Sequence, residues 1–230
     1  MEKTLPPLNT FEAVIFDLDG TLYDSMGMWG QIDIDYLARF GLDRPENLQA
    51  ELEGLSFQET SCFFKERFGI PDDPETIQAD WLKMAAEAYN GKLPLKPGAE
   101  EFLKYLKEAG IPAAIASSNH YDLIEESLQA RGLAPYISAL ITCDDVKANK
   151  PDPAVYLTAA DKLGVKPEKC LVFEDIVPGI LAGKRAGMTV CAVDDAYSRG
   201  TQEEKIALAD AFITDYRELL RAVDITGGGC

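Results

Sequence analysis

From residue 98 onward, the sequence repeats a short apolar run followed by a segment of helical periodicity that stops at a glycine. Three such segments are 99–109 before Gly110, 121–131 before Gly132 and 153–163 before Gly164. The apolar runs predict strands at 111–116, 171–173, 189–193 and 212–213. Because these runs are apolar on both faces, they are typical of parallel strands covered by helices. The pattern predicts an α/β fold with a doubly wound parallel sheet.

One further strand, predicted at 13–16, lies far upstream of the others, and the stretch between has helical periodicity without a strand pattern. We therefore expect an α/β core domain from residues 1–24 and 94–230, with a small α-helical cap domain at 25–93 inserted after the first strand. Two prolines, Pro94 and Pro97, stiffen the return to the core. An insertion hinged in this way is placed to act as a lid.

The aromatic residues of the insertion recur at helical spacing, which is typical of a bundle interior. Trp29, Phe57 and Trp81 are therefore expected mainly to fill the core of the cap. Which of the cap side chains contact a ligand does not follow from this pattern.

The chain is strongly acidic, with 39 aspartates and glutamates against 22 lysines and arginines and a formal net charge of -17. Such a charge repels nucleic acid phosphates and anionic membranes, so we expect neither as a partner. The five cysteines show no paired spacing and no leader segment opens the chain, which favours a cytoplasmic location. A single histidine, His120, leaves little basis for serine triads or cysteine–histidine pairs.

Polar residues follow several of the predicted strands, at the edge of the sheet where ligands bind in open α/β folds. These residues are Asp17, Asp19 and Thr21 after the first strand, Ser117, Ser118 and Asn119 after the second, and Glu174 and Asp175 after a later one. Lys150 lies in the loop before the third predicted helix. Each of these residues alone has an ordinary explanation, such as a solvated turn or a helix cap. Their joint occurrence after strands indicates a site.

Four segments carry a family resemblance. FDLDGTLYDS from Phe16, IASSN from Ile115, KPDPAVYLTAADKLGV from Lys150 and VFEDIVPGILAGKRAGM from Val172 resemble, in order and spacing, the four motifs of the haloacid dehalogenase superfamily. The helical insertion falls where the β-phosphoglucomutase-like branch of that superfamily carries its cap. The resemblance implies a Rossmann-like core and a Mg²⁺-dependent phosphatase that acts on a small phosphorylated metabolite. It also implies that Asp17 is the nucleophile and Asp19 the general acid and base.

The chemistry of phosphoryl transfer agrees with this assignment. A carboxylate that attacks a phosphate dianion meets like-charge repulsion of about 4 kcal/mol per unit pair at 4 Å and an effective dielectric constant of 20. Mg²⁺ bound by carboxylate and carbonyl oxygens would cancel this repulsion, and the predicted ligands are Asp17, Asp19 through its main-chain carbonyl, Glu174 and Asp175. The predicted contacts of the phosphate are Thr21, Ser117, Ser118, Asn119 and Lys150.

Several alternatives stay open at this level. Phosphosugar mutases of the resembling branch place a histidine in the first cap helix and an arginine after a glycine–hydrophobic–serine step, whereas Trp29 and Phe57 occupy those positions here. A non-catalytic binder of phosphorylated metabolites is disfavoured by the intact set of acids and Lys150, and dehalogenation needs neither Asp19 nor Asp175. P-loop spacing is absent between Gly179 and Lys184. The substrate class is open among sugar, nucleotide and polyol phosphates, and we expect a monomer or a weak homodimer.

Overall fold

Six parallel strands form the centre of the part of the chain described by the computed structural model, which comprises residues 5–89 and 93–221. The strands are β1 (Ala13–Phe16), β2 (Ala113–Ser117), β3 (Ala139–Thr142), β4 (Cys170–Glu174), β5 (Thr189–Val193) and β6 (Ala211–Ile213). Their spatial order is β3-β2-β1-β4-β5-β6. The predicted α/β fold with a doubly wound parallel sheet is confirmed.

Ten α-helices occur among the described residues. Four of them lie between β1 and the rest of the sheet: α1 (Met26–Ala38), α2 (Leu48–Leu52), α3 (Phe57–Phe68) and α4 (Pro74–Tyr89). The others are α5 (Ala99–Glu108), α6 (Tyr121–Ala130), α7 (Cys143–Val146), α8 (Ala154–Leu163), α9 (Val177–Arg185) and α10 (Gln202–Leu208). Among the described residues, no helix combines the length and the apolar composition that crossing a membrane requires.

Most predicted elements agree with the structure to within one or two residues, but the periodicity analysis does not predict β3 or α9. The first half of β3, Ala139 and Leu140, is only half-buried at the edge of the sheet, so it lacks the apolar signal of a covered strand. In α9, Pro178 occupies the first turn, and Gly179 and Gly183 weaken the apolar periodicity. A side chain at position 183 would place its Cβ 2.7 Å from Cγ2 of Val190, so glycine allows close helix–sheet packing there.

Side chains on the strands alternate between two hydrophobic cores, one on each face of the sheet. Phe16 and Phe173 are register partners and share one core with α5 and α6. Ile15 and Val172 are the adjacent register partners and share the other core with α8 and α9. Because every residue of β1 is buried, the carboxyl end of this strand is held in a fixed position between its neighbours.

The four helices between β1 and α5 pack around their own aromatic residues. The ring centroid of Trp81 lies 4.8 Å from that of Phe64 and 5.8 Å from that of Tyr36, and all three side chains are buried. Helix α3 begins after Ser56, whose Oγ accepts the main-chain N–H of Glu59 at 3.2 Å. The division into a core domain and a cap domain at 25–93 stays a prediction, and residues 90–92 of that segment lie outside the described residues.

We predict that Phe102→Ala lowers the free energy of unfolding by about 3–5 kcal/mol, because it removes a fully buried ring and leaves a cavity. The ring centroid of Phe102 lies 5.5 Å from those of both Phe173 and Tyr216. Urea denaturation measures the change. Leu157→Ala, on the exposed side of α8, is the control and should stay within about 0.5 kcal/mol of wild type. Similar losses for the two variants would contradict the prediction.

Candidate active site

The predicted site residues converge at the topological switch point of the sheet. Strand β1 lies between β2 and β4, and the strand order reverses at this position. Asp17 directly follows β1, Ser117 ends β2, and Glu174 ends β4. The main-chain N–H of Asp17 donates to the Phe173 carbonyl at 3.0 Å, which ties the tip of β1 to that of β4. The predicted residues of three separate strands therefore meet at one edge of the sheet.

Three carboxylates form a buried cluster at this edge. Asp17, Glu174 and Asp175 each offer an oxygen within 4.8 Å of the others. Lys150 reaches the cluster from the loop between α7 and α8, with its Nζ 2.6 Å from Asp17 Oδ1 and 2.6 Å from Glu174 Oε1. Its Nζ also donates to the main-chain carbonyl of Ala116 at 3.2 Å. The cluster thus contains three acids and one ammonium group.

The excess of acids over bases is reflected in the pKa values. Burial raises the pKa of Asp17 to about 8, against the lowering effect of Lys150, and Glu174 raises it further. Burial and the neighbouring charge of Asp17 raise the pKa of Asp175 well above its ordinary range. Burial disfavours the ammonium of Lys150, but Asp17 and Glu174 outweigh it and hold the pKa of Lys150 well above its usual value. One lysine is therefore not enough to neutralise the cluster.

Glu174 is fully buried, and both of its carboxylate oxygens accept hydrogen bonds. Its Oε1 accepts from Lys150 and from the hydroxyl of Tyr156, and its Oε2 accepts from the main-chain N–H of Asp175 at 3.1 Å. Tyr156 was not among the predicted site residues, because its position in α8 gives it the sequence signal of an apolar core residue. Whether Glu174 contacts a metal ion stays a prediction.

Thr21 and Gly20 shape the turn that follows β1. The Thr21 hydroxyl donates to Asp175 Oδ1 at 2.9 Å, and Thr21 has no exposed surface. In the structure this hydroxyl holds Asp175. The predicted contact of Thr21 with substrate stays a prediction. Gly20 has φ +80°, and a Cβ at this position would lie 2.3 Å from Asp175 Oδ2. Glycine is required here because both the backbone conformation and the space exclude a side chain.

The three polar residues at the end of β2 lie next to the acidic cluster. Ser117 is buried and its Oγ accepts the main-chain N–H of Asn119 at 3.1 Å. Ser118 is half-buried, and its carbonyl accepts the main-chain N–H of Phe57 at 2.9 Å. This last bond joins the start of α3 to the tip of β2. The helical insertion therefore contacts the sheet at a predicted phosphate-binding residue.

Asp19 is held by four hydrogen-bond donors, and sequence reasoning predicted a role for only one of them, Asn119. The Oδ1 of Asp19 accepts hydrogen bonds from Ser25 Oγ at 2.5 Å, from Trp29 Nε1 at 3.1 Å and from the hydroxyl of Tyr89. Its Oδ2 accepts from Asn119 Nδ2 at 2.7 Å. Trp29 and Tyr89 belong to α1 and α4, so their contact with Asp19 arises only when the insertion folds back on the sheet.

A cavity of about 160 Å³ lies beside Asp19, between the helical insertion and the sheet edge. Most of its wall is apolar and comes from Met26, Trp29, Leu52, Leu55, Phe57 and Trp81. Its polar wall comes from Asp19, Asp33, Gln49, Thr60, Ser118 and Asn119. Trp29, Phe57 and Trp81, the aromatic residues predicted to fill the bundle, therefore pack in its core and also line this cavity.

A comparison with known families adds to this geometry. Residues 11–187 match the family model of haloacid dehalogenase-like hydrolases. The chain belongs to this family. The matched range contains β1, β2 and β4 and every predicted site residue, so the resemblance inferred from the four motifs is confirmed.

Individual relatives agree with the family assignment. Hexitol phosphatase B of Escherichia coli is 30% identical over 218 residues, which cover 94% of this chain and 96% of the relative. A bifunctional riboflavin kinase/FMN phosphatase of Arabidopsis thaliana is 32% identical over 194 residues, and the match spans only half of that longer protein. A solved structure of a candidate β-phosphoglucomutase from Thermotoga maritima is 29% identical with a TM-score of 0.69, and the match covers 93% of this chain and 99% of that one.

We predict that Lys150→Met lowers the free energy of unfolding by about 3–5 kcal/mol in metal-free buffer, because it leaves Asp17 and Glu174 buried without their cation. Lys147→Met is the matched control, since Lys147 is an exposed lysine three residues away. That variant should stay within about 0.5 kcal/mol of wild type. Chemical denaturation at pH 8 measures both. Equal stability of the two variants would show that Lys150 does not compensate the cluster.

Proposed function

We propose that the protein is a Mg²⁺-dependent phosphatase that hydrolyses a small phosphomonoester through a phosphorylated Asp17. The observation that carries the proposal is the charge imbalance at the sheet edge, where Asp17, Glu174 and Asp175 are buried and, among the described residues, Lys150 is the one lysine or arginine that forms an ion pair with them. Unpaired buried charge is unfavourable, and a bound divalent cation removes the imbalance.

The donors at this site fit Mg²⁺. Hard carboxylate and carbonyl oxygens are the ligands that Mg²⁺ prefers, and it keeps several waters or phosphate oxygens in its shell. We assign the ion to Asp17, Asp175 and the main-chain carbonyl of Asp19. The Oε1 of Glu174 accepts from Lys150 and Tyr156, so we assign this oxygen to holding Lys150, while Oε2 accepts one main-chain N–H among the described residues and keeps a position for the ion or one of its waters. When bound, the ion supplies positive charge that offsets the repulsion between the nucleophile and the phosphate.

Asp17 is the proposed nucleophile because Lys150 holds its Oδ1 and leaves its second oxygen for attack. In the first step an Asp17 oxygen forms a bond to phosphorus, the bond from phosphorus to the leaving oxygen breaks, and Asp19 gives its proton to that oxygen. In the second step a water oxygen attacks phosphorus, Asp19 takes the proton of the water, and the bond to Asp17 breaks. Inorganic phosphate and the free alcohol are the products.

The remaining phosphate oxygens need hydrogen-bond donors. We assign this role to the Ser117 hydroxyl, the Ser118 main-chain N–H and the Lys150 ammonium. The main-chain N–H of Asn119 already donates to Ser117 Oγ, which orients that hydroxyl. In an otherwise acidic protein these groups and the ion reverse the local charge.

The cavity beside Asp19 suggests the size and charge of the leaving group. Its volume of about 160 Å³ suits an alcohol the size of a polyol or a hexose, whose C–H faces pack well on aromatic rings. Asp33, Gln49 and Thr60 offer hydrogen-bond partners for hydroxyl groups. The name of the related hexitol phosphatase supports the same class. We propose a neutral sugar or polyol monophosphate as the substrate.

A phosphosugar mutase is the second candidate, because the candidate β-phosphoglucomutase of Thermotoga maritima shares the fold and 29% identity. A mutase must hold a second phosphate beside the first. No lysine or arginine is among the described residues that line the cavity, and Asp33 contributes a carboxylate there. The nearby Arg44 is bound to Asp33, with Nε 3.0 Å from Oδ2. The cavity therefore favours hydrolysis of a monophosphate.

We predict that the purified protein releases phosphate from p-nitrophenyl phosphate with Mg²⁺, and that EDTA or Asp17→Asn abolishes the release. Asp17→Asn should retain the fold, because the amide keeps the size of the side chain. Circular dichroism and urea denaturation check this. Acid quenching with radiolabelled substrate should trap phosphate on wild type but not on the variant. Label at a residue other than Asp17, or turnover by Asp17→Asn, would contradict the mechanism.

We also predict that kcat/KM for glucose 6-phosphate exceeds that for glucose 1,6-bisphosphate by about tenfold or more, which corresponds to about 1.4 kcal/mol. The reason is that no described residue of the cavity wall offers a cation to the second phosphate, because Asp33 keeps Arg44 in an ion pair. Asp33→Asn should reduce this preference several-fold while keeping the side-chain shape. Formation of glucose 6-phosphate from glucose 1-phosphate is measured in parallel. Efficient isomerisation without phosphate release would favour the mutase.

A further inference from the structure

The hydroxyl of Tyr89 occupies the centre of the hydrogen-bond network around Asp19. It donates to Asp19 Oδ1, and it accepts from Trp29 Nε1 at 2.9 Å and from Asn119 Nδ2 at 3.0 Å. A phenolic hydroxyl has one donor and two acceptor positions, so this group is fully used. Because the two groups that approach the Tyr89 oxygen, Trp29 Nε1 and Asn119 Nδ2, are N–H donors, the hydroxyl hydrogen is left to point at Asp19 Oδ1.

The two oxygens of Asp19 are in different environments. Oδ1 accepts from Ser25, Trp29 and Tyr89, whereas Oδ2 accepts from Asn119 as its one donor within the described residues. Each carboxylate oxygen has about two lone-pair positions, so Oδ1 is saturated and Oδ2 has room for one more partner. A proton on Oδ1 would have to displace at least one of these three donors, whereas a proton on Oδ2 can take the open position. Oδ2 is therefore the oxygen that a proton can occupy.

We propose that Tyr89, together with Trp29, is a positioning residue that anchors Asp19 through Oδ1 and leaves Oδ2 as the oxygen that gives and takes the proton. The inference rests on the proposed function, because it concerns the acid and base of that reaction. When Asp19 acts as the acid, the proton on Oδ2 passes to the leaving oxygen. When it acts as the base, Oδ2 receives the proton of the attacking water.

The side-chain amide of Asn119 keeps hydrogen-bond acceptors whether Asp19 is ionised or protonated. Its Nδ2 lies 2.7 Å from Asp19 Oδ2 and 3.0 Å from the Tyr89 hydroxyl oxygen. When Oδ2 carries the proton, its other lone pair can still accept one Asn119 N–H, while the second N–H keeps the Tyr89 oxygen as its acceptor. The Asn119 Oδ1 is held by the main-chain N–H of His120 at 2.7 Å, so the amide does not flip freely. The network can therefore exchange one proton without leaving a buried donor unpaired.

The anchor connects the acid to both ends of the helical insertion. Trp29 is in the first turn of α1, and Tyr89 is the last residue of α4. Tyr89 is 1% exposed, and its ring centroid lies 6.0 Å from that of Trp29. Tyr89→Phe removes the central hydroxyl while keeping this ring packing. It therefore frees Asp19 from one anchor without opening a cavity.

The test uses a series of aryl phosphates of similar size, from phenyl phosphate to p-nitrophenyl phosphate, in the presence of Mg²⁺. The p-nitrophenolate anion is a weak base and leaves with little help from an acid, whereas phenolate is more basic and needs the proton. The ratio kcat/KM is measured because it reports the steps up to departure of the phenol. Asp19→Asn shows how steeply the rate depends on the leaving group when the acid is absent.

Tyr89→Phe should lower kcat/KM by about 10- to 100-fold for phenyl phosphate and by less than about threefold for p-nitrophenyl phosphate. The trapped phosphoryl protein should also decay more slowly in this variant, because activation of water needs the same Oδ2. Tyr36→Phe is the matched control, since it removes a buried hydroxyl of α1 that has no partner among the described residues. This control variant should keep kcat/KM for both substrates within about twofold of wild type.

A parallel loss of activity across the whole series in Tyr89→Phe would overturn the inference, because damage to the fold lowers all rates alike. A wild-type protein that releases no phosphate from any member of the series would overturn the proposed function first. The two failures are thus distinguishable. The positioning role would be supported by two results together. For phenyl phosphate, kcat/KM of Tyr89→Phe should fall towards that of Asp19→Asn, and for p-nitrophenyl phosphate it should be unchanged within about threefold of wild type.

Discussion

The burial of Asp17, Glu174 and Asp175 at one edge of the sheet is the constraint on which the site depends. Each would be easy to accommodate alone at the surface, but burial beside the other acids raises the pKa of Asp17 and of Asp175, against the lowering effect of Lys150 on the pKa of Asp17. The fold keeps them in place through strands that are buried along their whole length. In the proposed function, a bound divalent cation relieves this repulsion.

The surrounding residues act mainly by holding these acids in register. Thr21 holds Asp175, and Tyr156 and Lys150 hold Glu174, while Gly20 leaves the space that Asp175 occupies. All of these contacts come from loops and helices that follow a strand at its carboxyl end. The doubly wound topology therefore determines more than the location of the site, because it also brings the supporting residues within reach.

The sequence predicted the sheet edge well because its signals are local. Asp17 and Asp175 each directly follow an apolar strand, so their convergence is a consequence of parallel pairing. The contact of Tyr89 with Asp19 has no such signal, since the two residues are 70 positions apart and meet only through tertiary packing. Trp29 and Phe57 carry a helical core pattern, and periodicity cannot distinguish a ring that fills a bundle from one that also lines a cavity.

Trp29 and Phe57 also bear on whether the protein is a phosphatase or a phosphosugar mutase, because they line the cavity beside Asp19. A cap that supplies cations beside Asp19 could retain a bisphosphate, but the described cavity wall supplies rings and the Asp33 carboxylate. Its polar groups are suited to hydroxyls, and the indole N–H of its Trp29 is occupied with Asp19. None of the described residues that line this cavity is a lysine or arginine that could retain a second phosphate. In the proposed mechanism water is then the second acceptor, so the wall that the helical insertion contributes favours a phosphatase.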